Sequence, residues 1–161
     1  MTSPAVISGS LREQVAAFYA DYAVAIDRKR PNDWVDMFTP AGVYAVTTFN
    51  NASGKGMWWY TDRGLTARKE RAAYTNGYFW HSPEKTLHMI SNIRVAEQDD
   101  GTVKSAAYFV MYVADRGGPS QLHVCGEYDD VMVVTADGIR FAEHRVIIDA
   151  ETVPANMGVL L

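Results

Sequence analysis

The fold is decided by the stretch TLHMISNIRVAEQDDGTVKSAAYFVMYV (residues 86–113) and by two similar segments that follow it, LHVCGEYDDVMVVT (residues 122–135) and IRFAEHRVIID (residues 139–149). They are rich in β-branched and aromatic residues, and Gly-containing turn signals separate them. Asp-Gly pairs supply the positive φ of a tight hairpin. The sequence therefore predicts a meander of four antiparallel strands, Thr86–Ala96, Thr102–Val113, Leu122–Thr135 and Ile139–Asp149.

The segments before the meander are mostly helical in pattern. Ser10 and Glu13 have the spacing of a capping box, and an apolar stripe follows it at helical spacing: Leu11, Val15, Phe18, Tyr22 and Ile26. We further predict a short helix over Asn32–Thr39, a strand over Val43–Phe49 and a helix over Asp62–Tyr74 capped by Thr61. Helices followed by long antiparallel strands indicate an α+β domain with N-terminal helices packed on a strongly curved sheet.

Length and composition limit the classes of function. The chain has 161 residues, 48% of them apolar, and a formal net charge of −4. We therefore expect a flexible lead over residues 1–9 and one domain over residues 10–161. The acidic balance argues against nucleic-acid binding, and no apolar run approaches the ~20 residues of a membrane span. Because the N-terminus lacks the pattern of a signal peptide, we expect a cytoplasmic protein.

The single cysteine, Cys125, limits the cofactors. It excludes an internal disulfide and a cysteine-ligated iron–sulfur cluster, and a Rieske centre needs two Cys and two His. No common catalytic or metal-binding motif occurs, so we expect no cofactor and no metal in this chain. Cys125 itself is expected to be a small apolar filler.

Two carboxylate–histidine combinations are candidates for acid–base chemistry. Asp27, near the end of the first helix, could face a pocket with a raised pKa, and His88 could act as a base near neutrality. Asp130 lies opposite either Arg145 or His144, depending on the length of the last turn. For each residue a structural role is the alternative, since polar groups in proteins usually find hydrogen-bond partners.

Aromatic residues form the second notable feature. Some lie in segments without regular periodicity, where exposed rings indicate a covering partner unless they pack into the core. The strand Thr102–Val113 is apolar on both faces, which is typical of a central strand or of one beneath another subunit. The candidate interface residues are Trp58, Trp59, Tyr60, Phe79, Trp80, Tyr108 and Tyr112.

The chain resembles the small, beta subunits of ring-hydroxylating dioxygenases. Leu87–Val95 is similar to that family's His-x-Ile-Ser-Asn-Val-x-Val strand. Further similar pieces follow in the family's order, from about residue 11 to residue 161: Ala25-Ile26-Asp27 with Trp34 and Phe38, Thr61-Asp62-Arg63, Leu65–Arg68, Gly126–Asp130, Arg145–Asp149 and Gly158–Leu161.

This resemblance implies a cone-shaped fold of the nuclear-transport-factor-2 (NTF2) type, shared with ketosteroid isomerases and small polyketide cyclases. It implies a subunit without catalytic residues that trimerises and joins a large alpha subunit, typically three of each. The alpha subunit carries the Rieske 2Fe–2S cluster and the mononuclear iron. Oxygenases of aromatic carboxylates, such as terephthalate or salicylate, are the most similar in style.

Two other functions stay open at this point. One is a stand-alone isomerase, dehydratase or cyclase that uses Asp27 with His88, Tyr44 or Tyr128 as acid–base partners. The other is a small-molecule binding module. An enzyme needs a hollow, polar interior, whereas a structural subunit can fill its interior with aromatic rings.

Overall fold

The computed structural model describes residues 10–54, 56–78, 85–150 and 160–161. Within these ranges ten elements follow one another: α1 (Leu11–Asp27), α2 (Pro31–Asp36), β1 (Phe38–Thr48), α3 (Phe49–Ala52), β2 (Tyr60–Arg63), α4 (Gly64–Tyr78), β3 (Lys85–Glu97), β4 (Val103–Ala114), β5 (Gln121–Thr135) and β6 (Gly138–Ile148). The predicted lead over residues 1–9 lies outside the described residues. None of the helices described is long and apolar enough to cross a membrane.

The strands form one six-stranded sheet in the order β2-β1-β6-β5-β4-β3. The pair β1–β6 is parallel, and every other neighbouring pair is antiparallel. Helix α1 packs on β3 and β6, and α4 packs on α2 and β1. The predicted α+β class and the predicted four-strand meander are both confirmed.

The sheet has a buried inner face and a more open outer face. On β4 the inner face carries the fully buried Phe109 and Met111, while Tyr108 and Tyr112 on the outer face are 51% and 37% exposed. This alternation follows from the two-residue period of a strand. The core therefore lies between the inner face and the helices.

Helix α1 begins as predicted. The Ser10 side chain accepts a hydrogen bond from the Glu13 backbone, and the Glu13 carboxylate binds the Ser10 N–H at 2.6 Å. The apolar stripe is also confirmed, because Val15, Tyr22 and Ile26 are buried. Reciprocal capping satisfies backbone donors that the first helical turn leaves without partners.

Three elements predicted before the meander have wrong boundaries. The helix predicted over Asn32–Thr39 ends earlier, at Asp36, because Phe38 already pairs with β6 and starts β1. The strand predicted over Val43–Phe49 therefore starts earlier, at Phe38, and it ends at Thr48, whose side chain caps α3.

The helix predicted over Asp62–Tyr74 starts later and ends later, at Gly64–Tyr78. The preceding residues instead form β2, in which Asp62 pairs with Tyr44 of β1. Sheet pairing overrides local helix propensity here. Gly64 then adopts a φ of +78°, which a glycine accommodates without strain at the strand-to-helix junction.

The side-chain pattern of β3 also differs from simple alternation. Asn92 has a φ of +53°, and the register with β4 shifts between Ser91 and Arg94. This bulge moves Ile93 to the same face as His88, whereas unbroken alternation would place them on opposite faces. Unbroken alternation would have grouped Ile93 with Leu87 and Met89, and the bulge separates it from them.

Candidate functional site

Asp27 and His88 form a close pair at the junction of α1 and β3. Oδ1 of Asp27 lies 2.7 Å from His88 Nδ1 and accepts a hydrogen bond from the Thr86 hydroxyl at 2.9 Å. Oδ2 of Asp27 accepts the main-chain N–H of His88 at 2.9 Å. The last residue of α1 is thereby fixed to β3 by three hydrogen bonds.

The pair is largely withdrawn from solvent. The side chain of His88 is 1% exposed and that of Asp27 is 14% exposed. Burial acts to raise the pKa of Asp27, but the hydrogen bonds from His88 and Thr86 outweigh it and hold the pKa below its usual value. The raised pKa expected from desolvation is therefore wrong, because Asp27 is an ionised acceptor.

This arrangement fixes the tautomer of His88. An ionised carboxylate only accepts hydrogen bonds, so His88 Nδ1 carries the proton and Nε2 is left as the basic nitrogen. His88 Nε2 is buried and has no hydrogen-bond partner among the described residues. The same orienting contact prepares the histidine base of many hydrolases.

A cavity of about 320 Å³ lies between α1 and β3 beside this pair. Apart from Asp27 and His88, its lining is mainly apolar: Ala16, Tyr19, Ala20, Ala23, Val24, Leu87, Ile90 and Ile93. The pair and this cavity together have the composition of a small acid–base site with apolar walls.

Asp130 and His144 form a second pair, deep in the core. The two residues lie opposite each other on β5 and β6, with 2.8 Å between Oδ1 and Nδ1, and both side chains are 0% exposed. Of the two predicted registers, the one that pairs Asp130 with His144 is confirmed. The predicted cause, a three-residue turn, is wrong. The register instead shifts between Val131 and Met132, where Ala142 is an extra residue on the facing strand, and this bulge places Asp130 opposite His144.

The Asp130 carboxylate is satisfied by further donors. The Tyr19 hydroxyl donates to Oδ2 at 2.7 Å, and the main-chain N–H of Arg145 donates to Oδ1 at 3.1 Å. The Tyr19 hydroxyl in turn lies 2.9 Å from Ser105 Oγ. Burial, reinforced by the negative charge of Asp130, raises the pKa of Tyr19 far above its ordinary value.

Aromatic rings fill the space around His144. Phe141 stacks on it at 4.4 Å between ring centroids, and Tyr22 meets it edge-on at 4.8 Å. The other two proposed acid–base partners lie in this same cluster, with Tyr128 at 4.7 Å and Tyr44 at 5.7 Å from His144. Both are 0% exposed, and burial raises the pKa of each well above that of a free tyrosine.

The structure thus brings Asp27 together with His88, and it places Tyr44 and Tyr128 around His144 instead. Tyr44 receives a hydrogen bond from the main-chain N–H of Leu161, and Tyr128 stacks on Phe109 at 4.6 Å. A phenol with a strongly raised pKa acts as a hydrogen-bond donor rather than as a base near neutral pH.

The candidate interface residues occupy different positions. Trp59 and Tyr60 are partly buried against the core, and Trp58 lies under the guanidinium of Arg145 at 5.1 Å. Arg71 lies over the Tyr60 ring at 4.1 Å, and burial raises the Tyr60 pKa to about 12. Phe79 and Trp80 lie outside the described residues.

The segment between β1 and β2 covers one half of the outer face. The Trp59 N–H donates to Val46, and the Thr47 hydroxyl donates to the main chain of Met57. The outer-face residues of β1 and β6 below it are buried, for example Ala45 and Ile147. None of the described residues covers the other half of the outer face in this way, on β3, β4 and β5.

We call this uncovered half the open face and define it by Leu87, Met89, Tyr108, Tyr112 and Leu122. Each of these side chains is between 37% and 59% exposed. Leu87 pairs with Tyr112, and Tyr112 pairs with Leu122, so these three form a continuous apolar strip across the strands. Contiguous exposed apolar surface on a soluble domain is typical of an interaction site.

The chain matches the SnoaL-like domain over residues 9–145. It belongs to the SnoaL-like family. Over 136 residues it is 29% identical to the anthranilate 1,2-dioxygenase small subunit of Burkholderia cepacia, a match that covers 82% of this chain and 83% of that protein.

Solved structures share the fold of this SnoaL-like chain. A Novosphingobium aromaticivorans protein, provisionally named the beta subunit of an aromatic-ring-hydroxylating dioxygenase, superposes with a TM-score of 0.80 at 16% identity, over 92% of this chain and 94% of that one. ActVI-ORFA from Streptomyces coelicolor superposes with a TM-score of 0.72 at 15% identity, over 88% and 98% of the two chains. The expected NTF2-like fold is thereby confirmed.

Two features of this SnoaL-like chain have no counterpart in the sequence reasoning. Arg68 is fully buried and donates to the main-chain oxygens of Gly42 and Thr39, which ties α4 to the irregular start of β1. Leu160 and Leu161 are buried in the aromatic cluster. A long-range contact of either kind leaves no local signal, although the apolar Gly158–Leu161 segment is a weak indication that this end of the chain packs.

Within the described ranges, no three His, Cys, Asp or Glu side chains are grouped as metal ligands. Cys125 is unbonded and partly buried on β5, where it borders an outer-face cavity of about 400 Å³.

Proposed function

We propose that this chain is the structural small subunit of a multicomponent aromatic-ring-hydroxylating dioxygenase. The observation that carries the proposal is the 29% identity to the anthranilate 1,2-dioxygenase small subunit across 82% of the chain. In such an enzyme the large alpha subunit would carry the Rieske cluster and the mononuclear iron. The single cysteine of this chain agrees with that division, because a Rieske centre needs two.

The substrate class follows from the same relative. Anthranilate is an aminobenzoate, so the relative's name points to an aromatic carboxylate, the class that the sequence resemblance also favours. The alpha subunit would contact that substrate.

The filled interior supports a structural role. Phe141, Tyr22, Tyr44 and Tyr128 pack around His144 with ring-centroid distances between 4.4 and 5.7 Å. Close packing of this kind leaves little room for a substrate among these rings.

The open face supports assembly. We propose that it forms the contact between copies of this chain in a homotrimer, because that contact would cover the exposed apolar strip Leu87–Tyr112–Leu122. A specific contact of this kind buries about 800 Å² per partner. Three alpha subunits would then join the trimer.

The test is co-purification of the tagged chain with the iron–sulfur oxygenase subunit encoded beside it, followed by assays on benzoate-type substrates. We expect a stable complex that consumes O₂ and substrate, and an isolated chain that does neither. Failure of the two chains to co-purify would overturn the assignment.

Oligomer formation is tested separately with Leu87→Lys. The matched control is Leu65→Lys, which places the same charge at an exposed leucine on α4; Leu87 is 55% exposed and Leu65 is 39% exposed. Light scattering on the isolated chain should give a trimer for the wild type and the control. L87K should shift it toward monomer, and an unchanged trimer would exclude the open face.

A second function is favoured by the oriented His88 with its unpartnered Nε2 beside a cavity. We propose as the alternative a stand-alone isomerase, dehydratase or cyclase in which His88 is the base and Asp27 holds its tautomer. The isolated chain would then turn over a ketosteroid or aromatic substrate, and Asp27→Asn would abolish that activity. An inert isolated chain would exclude this alternative.

A further inference from the structure

Leu161 is held inside the aromatic cluster much as a ligand is held. Its main-chain N–H donates to the Tyr44 hydroxyl at 3.2 Å, and its main-chain oxygen accepts the Tyr22 hydroxyl. Leu160 and Leu161 are 5% and 0% exposed, and both tyrosines are 0% exposed. Two buried phenols thus recognise the polar groups on either side of one leucine side chain.

A chain of polar contacts continues behind Tyr22. The Tyr22 hydroxyl donates to the main-chain oxygen of Leu161 and also lies 3.0 Å from His144 Nε2. The other ring nitrogen, Nδ1, lies 2.8 Å from the Asp130 carboxylate. Leu161 is therefore the end of a buried chain that runs through Tyr22 and His144 to Asp130.

This chain supports the hydrogen bond that Tyr22 donates to Leu161, because hydrogen bonds in a chain polarise one another. The groups that face His144 and Asp130 from the neighbouring elements are Tyr19 and Tyr22 on α1, Ser105 on β4, Tyr44 on β1, Tyr128 on β5 and the main chain of Arg145. Such a site favours an occupant with a carbonyl or carboxyl oxygen.

We propose that the core contains a ligand site which residues 160–161 occupy, and that in their absence it binds a small molecule with a branched apolar group beside an amide N–H and a carbonyl oxygen. N-acylated leucine is the simplest member of this class. An apolar cavity left by removed core side chains accepts small ligands of matching shape. The full chain is closed to such ligands by its own two leucines.

The experiment uses a variant that ends at residue 159 and the probe N-acetyl-L-leucine amide, with calorimetry and thermal unfolding as measurements. We expect binding to the shortened chain and none to the full chain. Tyr22→Phe and Tyr44→Phe in the shortened chain should each weaken binding about fivefold, the effect of one neutral hydrogen bond. Tyr74→Phe, an exposed tyrosine on α4, is the control and should bind like its parent.

A folded shortened chain that does not bind the probe would overturn the proposal. Equal binding by the full chain, or binding that neither Tyr22→Phe nor Tyr44→Phe weakens, would do the same.

If the shortened chain does not fold, Leu161→Ala tests the apolar half of the site, because it keeps the main chain and removes only the branched side chain. Isobutanol should then raise the melting temperature of L161A and leave that of Leu65→Ala, an exposed leucine on α4, unchanged. An equal response of the two variants would refute the site.

Discussion

Asp130→Asn offers a sharp test of the buried network, because the neighbouring Asp129 provides a matched control. The Asp130 side chain is 0% exposed and accepts from His144, Tyr19 and the main chain of Arg145. The Asp129 side chain is 50% exposed and accepts from the Arg145 guanidinium at 2.8 Å. The same substitution therefore removes a charge from two adjacent residues of β5 that differ in burial.

The expected losses of stability differ several-fold. Asp130→Asn takes a charged acceptor away from three buried groups, and because a hydrogen bond to a charged group is worth about 1.5–3 kcal/mol, we expect a total loss of about 3–5 kcal/mol. An exposed pair contributes only about 0–1 kcal/mol. With a urea m-value of about 2 kcal/mol/M, D130N should lower the unfolding midpoint by about 1.5–2.5 M and Asp129→Asn by less than about 0.5 M.

Urea unfolding followed by circular dichroism measures both midpoints. If D130N is too unstable to purify, Tyr19→Phe replaces it; this variant removes one hydrogen bond to a charged group and should cost about 1.5–3 kcal/mol. Similar midpoints for the wild type and both Asp130 network variants would refute the assignment of Asp130 as a buried charged acceptor. A larger loss for Asp129→Asn than for D130N would refute it as well.

Three further changes test local features. Ser10→Ala should cost about 1 kcal/mol in urea unfolding, because it removes the capping box of α1, and an unchanged midpoint would contradict that role. Asp27 has a lowered pKa in the folded chain, so its contribution to stability is present above the ordinary pKa of about 3.9 and is lost as the pH falls through the folded-state pKa. Between pH 2 and 6 the free energy of unfolding of Asp27→Asn should therefore fall less steeply with acid than that of the wild type. Parallel pH dependences of the two proteins would disprove it. Gly126→Ala should lower the free energy of unfolding by about 1–3 kcal/mol or more, because its Cβ would lie 2.1 Å from the main-chain oxygen of Ile147. The control Gly77→Ala meets nothing within 4 Å and should be neutral or stabilising. Equal thermal stability of the two variants would rule this out.

Local chemistry predicted the meander and the first helix. The turn after β3 was identified from its Asp-Gly pair, and Gly101 indeed has a φ of +79°. The capping box fixed the start of α1 at Leu11. Both signals work because the residues that cause the structure are adjacent in sequence.

The features that sequence reasoning missed depend on distant partners. Residues 60–63 precede a helical pattern, yet they form β2 because Asp62 and its neighbours pair with β1. The bulge at Asn92 reverses which side chains of β3 face the core after that residue. The alternating pattern of a strand does not show where an extra residue enters. The hydrogen bonds of Leu161 with Tyr22 and Tyr44 join residues more than 100 positions apart in the sequence.

The two carboxylate–histidine pairs differ in the hydrogen-bond partners of the imidazole ring. In the Asp130–His144 pair both imidazole nitrogens have partners, so the pair stabilises the core. In the Asp27–His88 pair Nε2 has no partner among the described residues, and the pair borders a cavity. A general base needs a ring nitrogen that no other group occupies, and of the two pairs only Asp27–His88 has one without a partner among the described residues. The three hydrogen bonds of Asp27 also attach the end of α1 to β3, so a loss of stability in Asp27→Asn would not by itself indicate catalysis. Turnover of a substrate by the isolated chain decides between a structural and a catalytic role.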